Sequence, residues 1–208
     1  MGRYVGPSCK LCRREGEKLF LKGERCFMAK CPIETGRPIP GGQPKRRPKI
    51  SDYGMQLREK QKIKRTYGLR EGQFRLFFQR SAQLRGITGE NLLQMLEMRL
   101  DNVVFRLGFA PSRVAARQIV RHGHVFVNGR KASVPSMLMG KGSVVEARDR
   151  ENSKQYVASF IEKGEARGIV PWLSLDKEKL KGEVLHIPSK EEIGSPFDEQ
   201  LVVELYSK

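Results

Sequence analysis

Apolar side chains recur every three or four residues through most of positions 51–122, which is the spacing of one buried face of an α-helix. The pattern predicts helices over about 52–66, 71–84, 92–107 and 113–122. The second helix has one apolar face, formed by Phe74, Phe77, Phe78 and Leu84. We expect that face in a core rather than stacked on nucleobases. Asp101 and Asn102 are expected to cap a break within the third helix.

After residue 124 the apolar positions alternate, which is typical of half-buried strands. The pattern predicts a strand over Val125–Val127, a type I′ turn at Asn128-Gly129 and a return strand over 130–134. Further along the chain it predicts a helix over about 153–163 and strands over 171–175, 182–187 and 201–206. Trp172 lies in an alternating segment and is expected to pack in a core.

Residues 35–49 interrupt the helical pattern with four prolines and three glycines, so this segment is predicted to be extended. Its second half carries a run of positive charge, formed by Lys45, Arg46, Arg47 and Lys49. A plain linker does not need such a run. We expect these side chains to contact RNA.

Charge divides the chain into two parts. Lys and Arg number 40 against 23 Asp and Glu, which gives a net charge of +17. The positive excess lies in the first 150 residues, because residues 151–208 carry a net charge of −3. A net positive charge over most of a chain indicates that its partner is a large polyanion. Nucleic acid is favoured over an anionic membrane surface, because no Lys-rich amphipathic helix with aromatic anchors occurs.

Several classes of protein are excluded by what the sequence does not contain. No run of about 18 apolar residues occurs, so no membrane span is predicted. Residues 1–10 lack the apolar region that a secretory signal has, and we expect a cytoplasmic protein. No nucleophile signature, phosphate-binding loop or nuclease-like carboxylate cluster is present. We therefore expect neither an enzyme nor a small-molecule substrate.

The cysteines are confined to the beginning of the chain, as Cys9-x2-Cys12-x13-Cys26-x4-Cys31. Two close pairs on turns can converge on one ion, and four thiolates form a closed, structural site. One zinc ion is therefore predicted. A four-iron four-sulfur cluster is the alternative, because Pro32 follows Cys31. Two disulfides are a third arrangement, which a reducing compartment disfavours. A metal would fix the surrounding basic side chains against phosphates: Lys10, Arg13, Arg14, Lys18, Lys22, Arg25 and Lys30.

Basic residues also crowd two of the predicted helices. The helix over 52–66 carries Arg58, Lys60, Lys62, Lys64 and Arg65 around much of its circumference, and we expect a polyanion to relieve their repulsion. In the helix over 113–122, Arg113, Arg117 and Arg121 recur every four residues. They form a stripe about 12 Å long. The sequence offers no structural reason for this stripe, which together with the hairpin tip is predicted to flank a basic groove.

The segment from Ser112 to Arg130 contains a helix, Gly-His, a strand and Val-Asn-Gly-Arg. It resembles the RNA-binding module of bacterial small-subunit ribosomal protein four, here called the S-four family. RNA-modifying enzymes also carry this module, so such an enzyme would explain part of the chain, and a zinc-dependent nucleic-acid regulator would explain another part. The resemblance extends further, in order and at the family's spacing, over residues 1–7, the cysteine set, 51–62, 99–109 and 201–207. The chain is identified as a member of the S-four family.

The resemblance implies an α+β protein with an N-terminal metal-bound arm and an all-helical domain. A mixed α/β RNA-binding domain with a helix-turn-hairpin module is inserted in it. The implied boundaries are 1–50 for the metal-binding knot and basic arm, 51–98 for the helical domain, completed by about 198–208, and 99–197 for the inserted domain. The module itself is expected at about 99–160.

The resemblance also implies a function. It predicts a structural constituent of the small ribosomal subunit, bound to the ribosome, that binds ribosomal RNA directly and nucleates assembly of the 5′ domain. It further predicts that the protein lines the channel through which messenger RNA enters and affects translational accuracy, beside neighbouring small-subunit proteins. The messenger contacts expected are Lys45, Arg46, Arg47 and Lys49. The ribosomal RNA contacts expected are Arg3, Lys10, Arg13, Arg14, Lys22, Arg25, Arg58, Lys60, Lys62, Lys64, Arg65, Arg113, Arg117, Arg121, His122, Asn128 and Arg130.

Overall fold

A computed structural model describes residues 4–41, 50–164, 168–194 and 196–207. The chain forms two compact units. Unit one comprises Met1–Asn91 and Pro196–Lys208, and unit two comprises Leu92–Ser195. Arg3 and the four basic residues of the arm, Lys45, Arg46, Arg47 and Lys49, lie outside the described residues.

The helices of the described residues are α1 (Ser8–Glu15), α2 (Asp52–Thr66), α3 (Glu71–Gln83), α4 (Thr88–Glu97), α5 (Leu100–Arg106), α6 (Arg113–Arg121), α7 (Glu151–Gly164), α8 (Lys190–Ile193) and α9 (Glu199–Tyr206). A 3₁₀ turn covers Gly23–Cys26. The strands are β1 (Val125–Val127), β2 (Arg130–Ala132), β3 (Val144–Ala147), β4 (Leu173–Asp176) and β5 (Lys181–Val184). Within the described ranges, no helix is long and apolar enough to cross a membrane.

Unit one is built around α2, which packs against α9. The Ser51 side chain caps α2 by accepting a hydrogen bond from the Gly54 amide, and Ile63 is fully buried. The strand predicted over 201–206 is wrong, because this segment is α9. Its two adjacent valines favour a strand, but the Asp198 carboxylate caps a helix there and Val202 is buried in the helical conformation.

The aromatic face of α3 lies in the core of unit one. Phe74, Phe77 and Phe78 are buried, which confirms that part of the prediction. Tyr206 of α9 stacks on Phe78 with ring centroids 4.6 Å apart. Leu84 was expected on the same face but is exposed, because α3 ends at Gln83 and the backbone of Leu84 is extended.

Unit two contains a five-stranded antiparallel sheet with strand order β2-β1-β3-β5-β4. The predicted hairpin is confirmed: Val127 pairs with Arg130, and Asn128 and Gly129 have φ angles of 49° and 74°, as a type I′ turn requires. Trp172 is fully buried as predicted. Gly182 lies against the side chain of Leu107, which leaves no space for a Cβ atom on this strand.

The break expected in the helix over 92–107 is present between α4 and α5. Asp101 and Asn102 do not cap it, because both lie inside α5, whose N-cap residue is Arg99. Asp101 instead accepts hydrogen bonds from Arg99 within the break, and Asn102 donates one to Glu97 at the end of α4. The break is therefore held by buried polar contacts. The Ser112 side chain caps α6 by accepting a hydrogen bond from the Ala115 amide.

Candidate nucleic-acid interface

The cysteines come from α1 and from the 3₁₀ turn and the loop after it. Cys12, Cys26 and Cys31 are buried, Cys9 is half-buried, and all four are free thiols. The Lys22 amide donates a hydrogen bond of 3.3 Å to Cys26 Sγ. Burial raises the pKa of the Cys12 thiol, and the nearby Cys26, Cys9 and Cys31 thiols raise it further. Across the described segments, no group of three or more His, Cys, Asp or Glu side chains has the arrangement of a metal site.

Most basic side chains around the cysteines face solvent. Lys10, Arg14, Lys22 and Arg25 are exposed. Arg13 is half-buried and donates a hydrogen bond of 2.8 Å to the Pro38 carbonyl, so part of its hydrogen-bonding capacity serves the fold. These four and Lys30, which is also exposed, remain open to an outside anion.

The basic residues of α2 have acidic partners within unit one, which relieve their mutual repulsion, and their expected contact with RNA stays a prediction. Glu71 accepts hydrogen bonds from Lys60 and Lys64 at 2.6 and 2.7 Å. Arg58 and Arg65 both pair with the fully buried Glu15 side chain. The ion pairs of Lys62 are with Glu17 and Glu59. The repulsion is therefore relieved within the protein itself.

Glu71 is the centre of one such group. Burial opposes its ionisation, but hydrogen bonds from Lys60, Lys64 and Tyr206 outweigh that effect and hold its pKa at about 2. The Tyr206 pKa is raised, first by burial and then by its hydrogen bond to Glu71. The carboxylate therefore stays charged at neutral pH and fixes two lysines of α2.

The arginine stripe of α6 divides in the structure. Arg113 Nε donates a hydrogen bond of 2.8 Å to Asn102 Oδ1, and its guanidinium lies 4.7 Å from the Phe105 ring centroid. Arg117 Nη1 donates to Asp101 Oδ2 at 3.2 Å. Both arginines are half-buried, whereas Arg121 is exposed.

Two buried carboxylates lie beneath this stripe. Asp101 accepts two hydrogen bonds from Arg99, at 3.0 and 2.7 Å, and the Arg99 side chain is fully buried. Glu97, also fully buried, accepts two from Arg106, at 2.9 and 2.8 Å. The stripe therefore has a structural reason that the sequence did not reveal: Arg113 and Arg117 partly neutralise buried acids.

At the hairpin tip, the Asn128 side chain accepts a hydrogen bond of 2.8 Å from the Val144 amide. This contact ties the turn to β3, so the side-chain oxygen of Asn128 (Oδ1) has a structural partner. Arg130 is exposed beside it. Of the residues predicted to contact RNA in unit two, Arg121, His122, Asn128 and Arg130 are exposed.

Comparison with known proteins decides the family. The ribosomal protein S4/S9 N-terminal domain matches residues 3–97, and the S4 domain matches residues 98–145. Proteins named small ribosomal subunit protein uS4 align over all 208 residues and over their own full length: 53% identical from Geotalea uraniireducens, 52% from Acidithiobacillus ferrooxidans and 52% from Geobacter sulfurreducens. The chain belongs to the ribosomal protein S4 family. The resemblance seen in the sequence is thereby confirmed.

The S4 family consists of ribosomal structural proteins, which confirms the expectation that the chain is not an enzyme. The names of the relatives mention no metal, so the metal-binding character of the cysteines stays a prediction. The two matched regions meet at residues 97 and 98, at the break between α4 and α5. Glu97 and Asp101 therefore stand on either side of the junction between the two matched regions.

This S4 family member also contains a second group of basic and aromatic residues, which the sequence pattern did not single out. His124 directly precedes β1, Arg148 and Arg150 follow β3, and Tyr156 lies in α7. These segments are far apart along the chain, so periodicity does not connect them. The Arg-Asp-Arg sequence at 148–150 is the one local signal that was available.

Proposed function

We propose that this protein is a structural constituent of the small ribosomal subunit, that it binds small-subunit ribosomal RNA directly, and that it resides on the ribosome in the cytoplasm. The observation that carries this proposal is the sequence identity of 51–53% over all 208 residues to proteins named small ribosomal subunit protein uS4. The net charge of +17 supports an RNA partner, because phosphates require neutralising cations.

The chemistry of this function is recognition, not catalysis. Exposed Arg121 and Arg130 in unit two, and exposed Lys10, Arg14, Lys22 and Arg25 in unit one, supply cations for phosphates. The buried acids Glu97 and Asp101 hold Arg113 and Arg117 in fixed positions, which lowers the entropy that those side chains lose on binding. Charge-assisted hydrogen bonds to phosphate then favour binding independently of base sequence.

The finer role that we propose is nucleation of the 5′ domain of the small subunit, with effects on translational accuracy. The basic arm, Lys45, Arg46, Arg47 and Lys49, lines the channel through which messenger RNA enters. Support for the channel comes from the sequence alone, which places four cations on a segment rich in proline and glycine. Neighbouring small-subunit proteins are the remaining partners.

We also propose that Cys9, Cys12, Cys26 and Cys31 hold one zinc ion. The support is the chemistry of the donor set: four reduced thiols, three of them buried, with an amide donor directed at Cys26 Sγ. Within the described residues no group of three His, Cys, Asp or Glu side chains has the arrangement of a metal site, so the proposal rests on the donor set alone. The ion would supply cross-linking of α1 to the loop that follows it. An iron-sulfur cluster is the alternative occupant.

Binding of the full-length protein to a transcript of the small-subunit 5′ domain tests the main proposal, with a large-subunit transcript of equal length as the control. We expect tighter binding to the small-subunit transcript at about 0.2 M salt, where non-specific affinity is weak. Sucrose-gradient fractionation of native extract should place the protein with the small subunit. Equal affinity for both transcripts, or sedimentation away from ribosomal particles, would overturn the proposal.

A further inference from the structure

Four segments of unit two bring aromatic and basic side chains together at the C-terminal end of α6. His122 follows α6, His124 directly precedes β1, Arg148 and Arg150 follow β3, and Tyr156 lies in the second turn of α7. The His122 and His124 ring centroids are 6.1 Å apart, and those of His124 and Tyr156 are 6.5 Å apart. We call these five residues the His–Tyr cluster.

Hydrogen bonds hold the cluster in place. The Arg148 amide donates to the His124 carbonyl at 2.8 Å. His124 Nδ1 and the buried Ser153 hydroxyl lie 3.0 Å apart and share a hydrogen bond. The Phe160 ring packs edge-on against Tyr156 with centroids 4.8 Å apart. These contacts preset the rings, so little conformational entropy remains to be lost when a ligand binds.

The cluster is accessible and positively charged. Tyr156 is 45% exposed, and His122 and Arg150 are exposed as well. Arg121, also exposed, ends α6 next to His122. The intervening acid Asp149 pairs with Lys154 at 2.7 Å, and Glu151 accepts a hydrogen bond from Gln155. Asp149 is therefore neutralised by Lys154, whereas Glu151 keeps its charge, and the three arginines outnumber these two acids.

We propose that the His–Tyr cluster is a binding site for a single-stranded segment of RNA, in which Arg148 and Arg150 bind phosphates and the Tyr156 ring stacks on one unpaired base. The inference rests on the proposed function and deepens it. Arg148, Arg150 and Tyr156 lie beyond residue 145, where the match to the S4 domain ends, so the family match assigns them no role.

The pairing of chemistries selects RNA over the other candidates. An exposed aromatic ring with arginines beside it suits a base and its flanking phosphates, because the ring stacks on the base and the guanidinium groups bind its backbone. A protein partner of ordinary interface chemistry would need a wider apolar surface around the tyrosine. Here the rings in contact with Tyr156 are those of His124 and Phe160, and the arginines of the cluster add positive charge that favours a polyanion.

Two pairs of variants separate stacking from charge, each measured by binding to the 5′-domain transcript over a range of salt concentrations. Tyr156→Leu removes the aromatic face and keeps apolar bulk, and Tyr156→Phe is its matched control. The double variant R148A/R150A removes two charges, and K141A/K181A removes two exposed charges elsewhere in unit two. All four sets change residues that are at least partly exposed, and circular dichroism melts verify that each variant is folded.

We expect Tyr156→Leu to weaken binding about tenfold at an unchanged salt slope, whereas Tyr156→Phe binds as wild type. R148A/R150A should lower the magnitude of the slope of log affinity against log salt by about 1.4 to 1.8. The change should be larger than the one that K141A/K181A causes. Wild-type affinity and slope in Tyr156→Leu and R148A/R150A would overturn the site while leaving the proposed function intact. If Tyr156→Leu impairs entry into the subunit but not binding to the bare transcript, a protein covers the cluster and the RNA proposal is wrong. Failure of the wild-type protein to bind the transcript would overturn the proposed function itself.

Discussion

The Tyr206 hydroxyl donates a hydrogen bond of 2.9 Å to Glu71, across a sequence separation of 135 residues. It links α9 to the beginning of α3, while the Tyr206 ring stacks on Phe78 of the same helix. Lys60 and Lys64 of α2 bond to the same carboxylate. One acidic side chain therefore joins three helices of unit one.

The Glu71→Gln variant of unit one should lose less stability than the wild type as the pH falls below 4.5. The folded pKa of Glu71, about 2, lies below its ordinary value of 4.5. Ionised Glu71 therefore stabilises the fold above pH 4.5, and this contribution is lost as pH falls toward 2. Urea unfolding followed by far-UV circular dichroism between pH 7 and 2 should show a less stable variant at pH 7 and a shallower loss in acid. The control is Glu162→Gln, which removes an exposed carboxylate of unit two. An equal dependence of stability on pH in the two variants would contradict the role of Glu71.

Arg117→Ala and Arg121→Ala should differ in what they change. Arg117→Ala removes one hydrogen-bond partner of the buried Asp101, so we expect the free energy of unfolding to fall by about 1 to 3 kcal/mol. Arg121 is exposed, so its removal should leave stability unchanged and reduce the salt slope of RNA binding by about 0.7 to 0.9. Urea denaturation and salt-dependent binding measure both quantities. Equal stability of the two variants would show that the contact with Asp101 contributes nothing.

His124→Asn should reduce the loss of stability below neutral pH. Burial lowers the pKa of His124 from 6.5, and the nearby His122, Arg148 and Arg150 lower it further. The unfolded chain therefore takes up a proton at higher pH than the folded chain, so falling pH through 6.5 favours unfolding until the folded pKa is reached. Unfolding followed by Trp172 fluorescence reports on unit two, where both residues lie. An unchanged difference in stability between pH 7 and 5 in the variant would refute this effect.

The purified protein should contain one metal centre per chain. Elemental analysis of aerobic and anaerobic preparations distinguishes the alternatives, since zinc is colourless and an iron-sulfur cluster is brown. A chelator titration of the full-length protein should lower the melting temperature if the ion cross-links the segment around Cys12 and Cys26. Absence of both metals, with two disulfides found by mass spectrometry, would refute the proposal.

Replacing Lys45, Arg46, Arg47 and Lys49 by Ala should leave the protein able to enter the small subunit, because the other exposed cations still bind ribosomal RNA. Unwinding of structured messengers by reconstituted ribosomes should decrease. Ribosomes that carry K141A/K181A, which lacks two positive charges outside the arm, are the control for loss of charge elsewhere. If the arm variant fails to assemble, the arm belongs to the ribosomal RNA site.

Local sequence rules predicted what depends on neighbours along the chain. The Asn128-Gly129 turn, the Ser112 cap and the buried phenylalanines of α3 follow from turn chemistry and helical spacing. The α9 segment was assigned to a strand, because its valines favour that conformation and its packing on α2 is not visible in the sequence.

The partners of the basic side chains were even harder to predict from the sequence. Periodicity placed Arg113 and Arg117 on one stripe, but the buried acids beneath them lie on the preceding segments, at Glu97 and Asp101. Likewise, the partner of Arg58 and Arg65 is Glu15 of α1, more than forty residues earlier. Whether a basic residue faces RNA or an internal carboxylate depends on such distant contacts. Spacing along one helix does not contain that information.

The packing of α9 on α2 sets an order of events during synthesis. Unit two is one continuous segment, whereas unit one needs residues from both sides of it. At about 5 to 20 residues per second, the ribosome takes roughly 5 to 20 seconds to make residues 92–195. For that interval α2 has emerged but has no α9 to cover Ile63 and its neighbours. The part of the protein that is made first is therefore the last to be completed, and its apolar face stays without its partner helix until the end of synthesis.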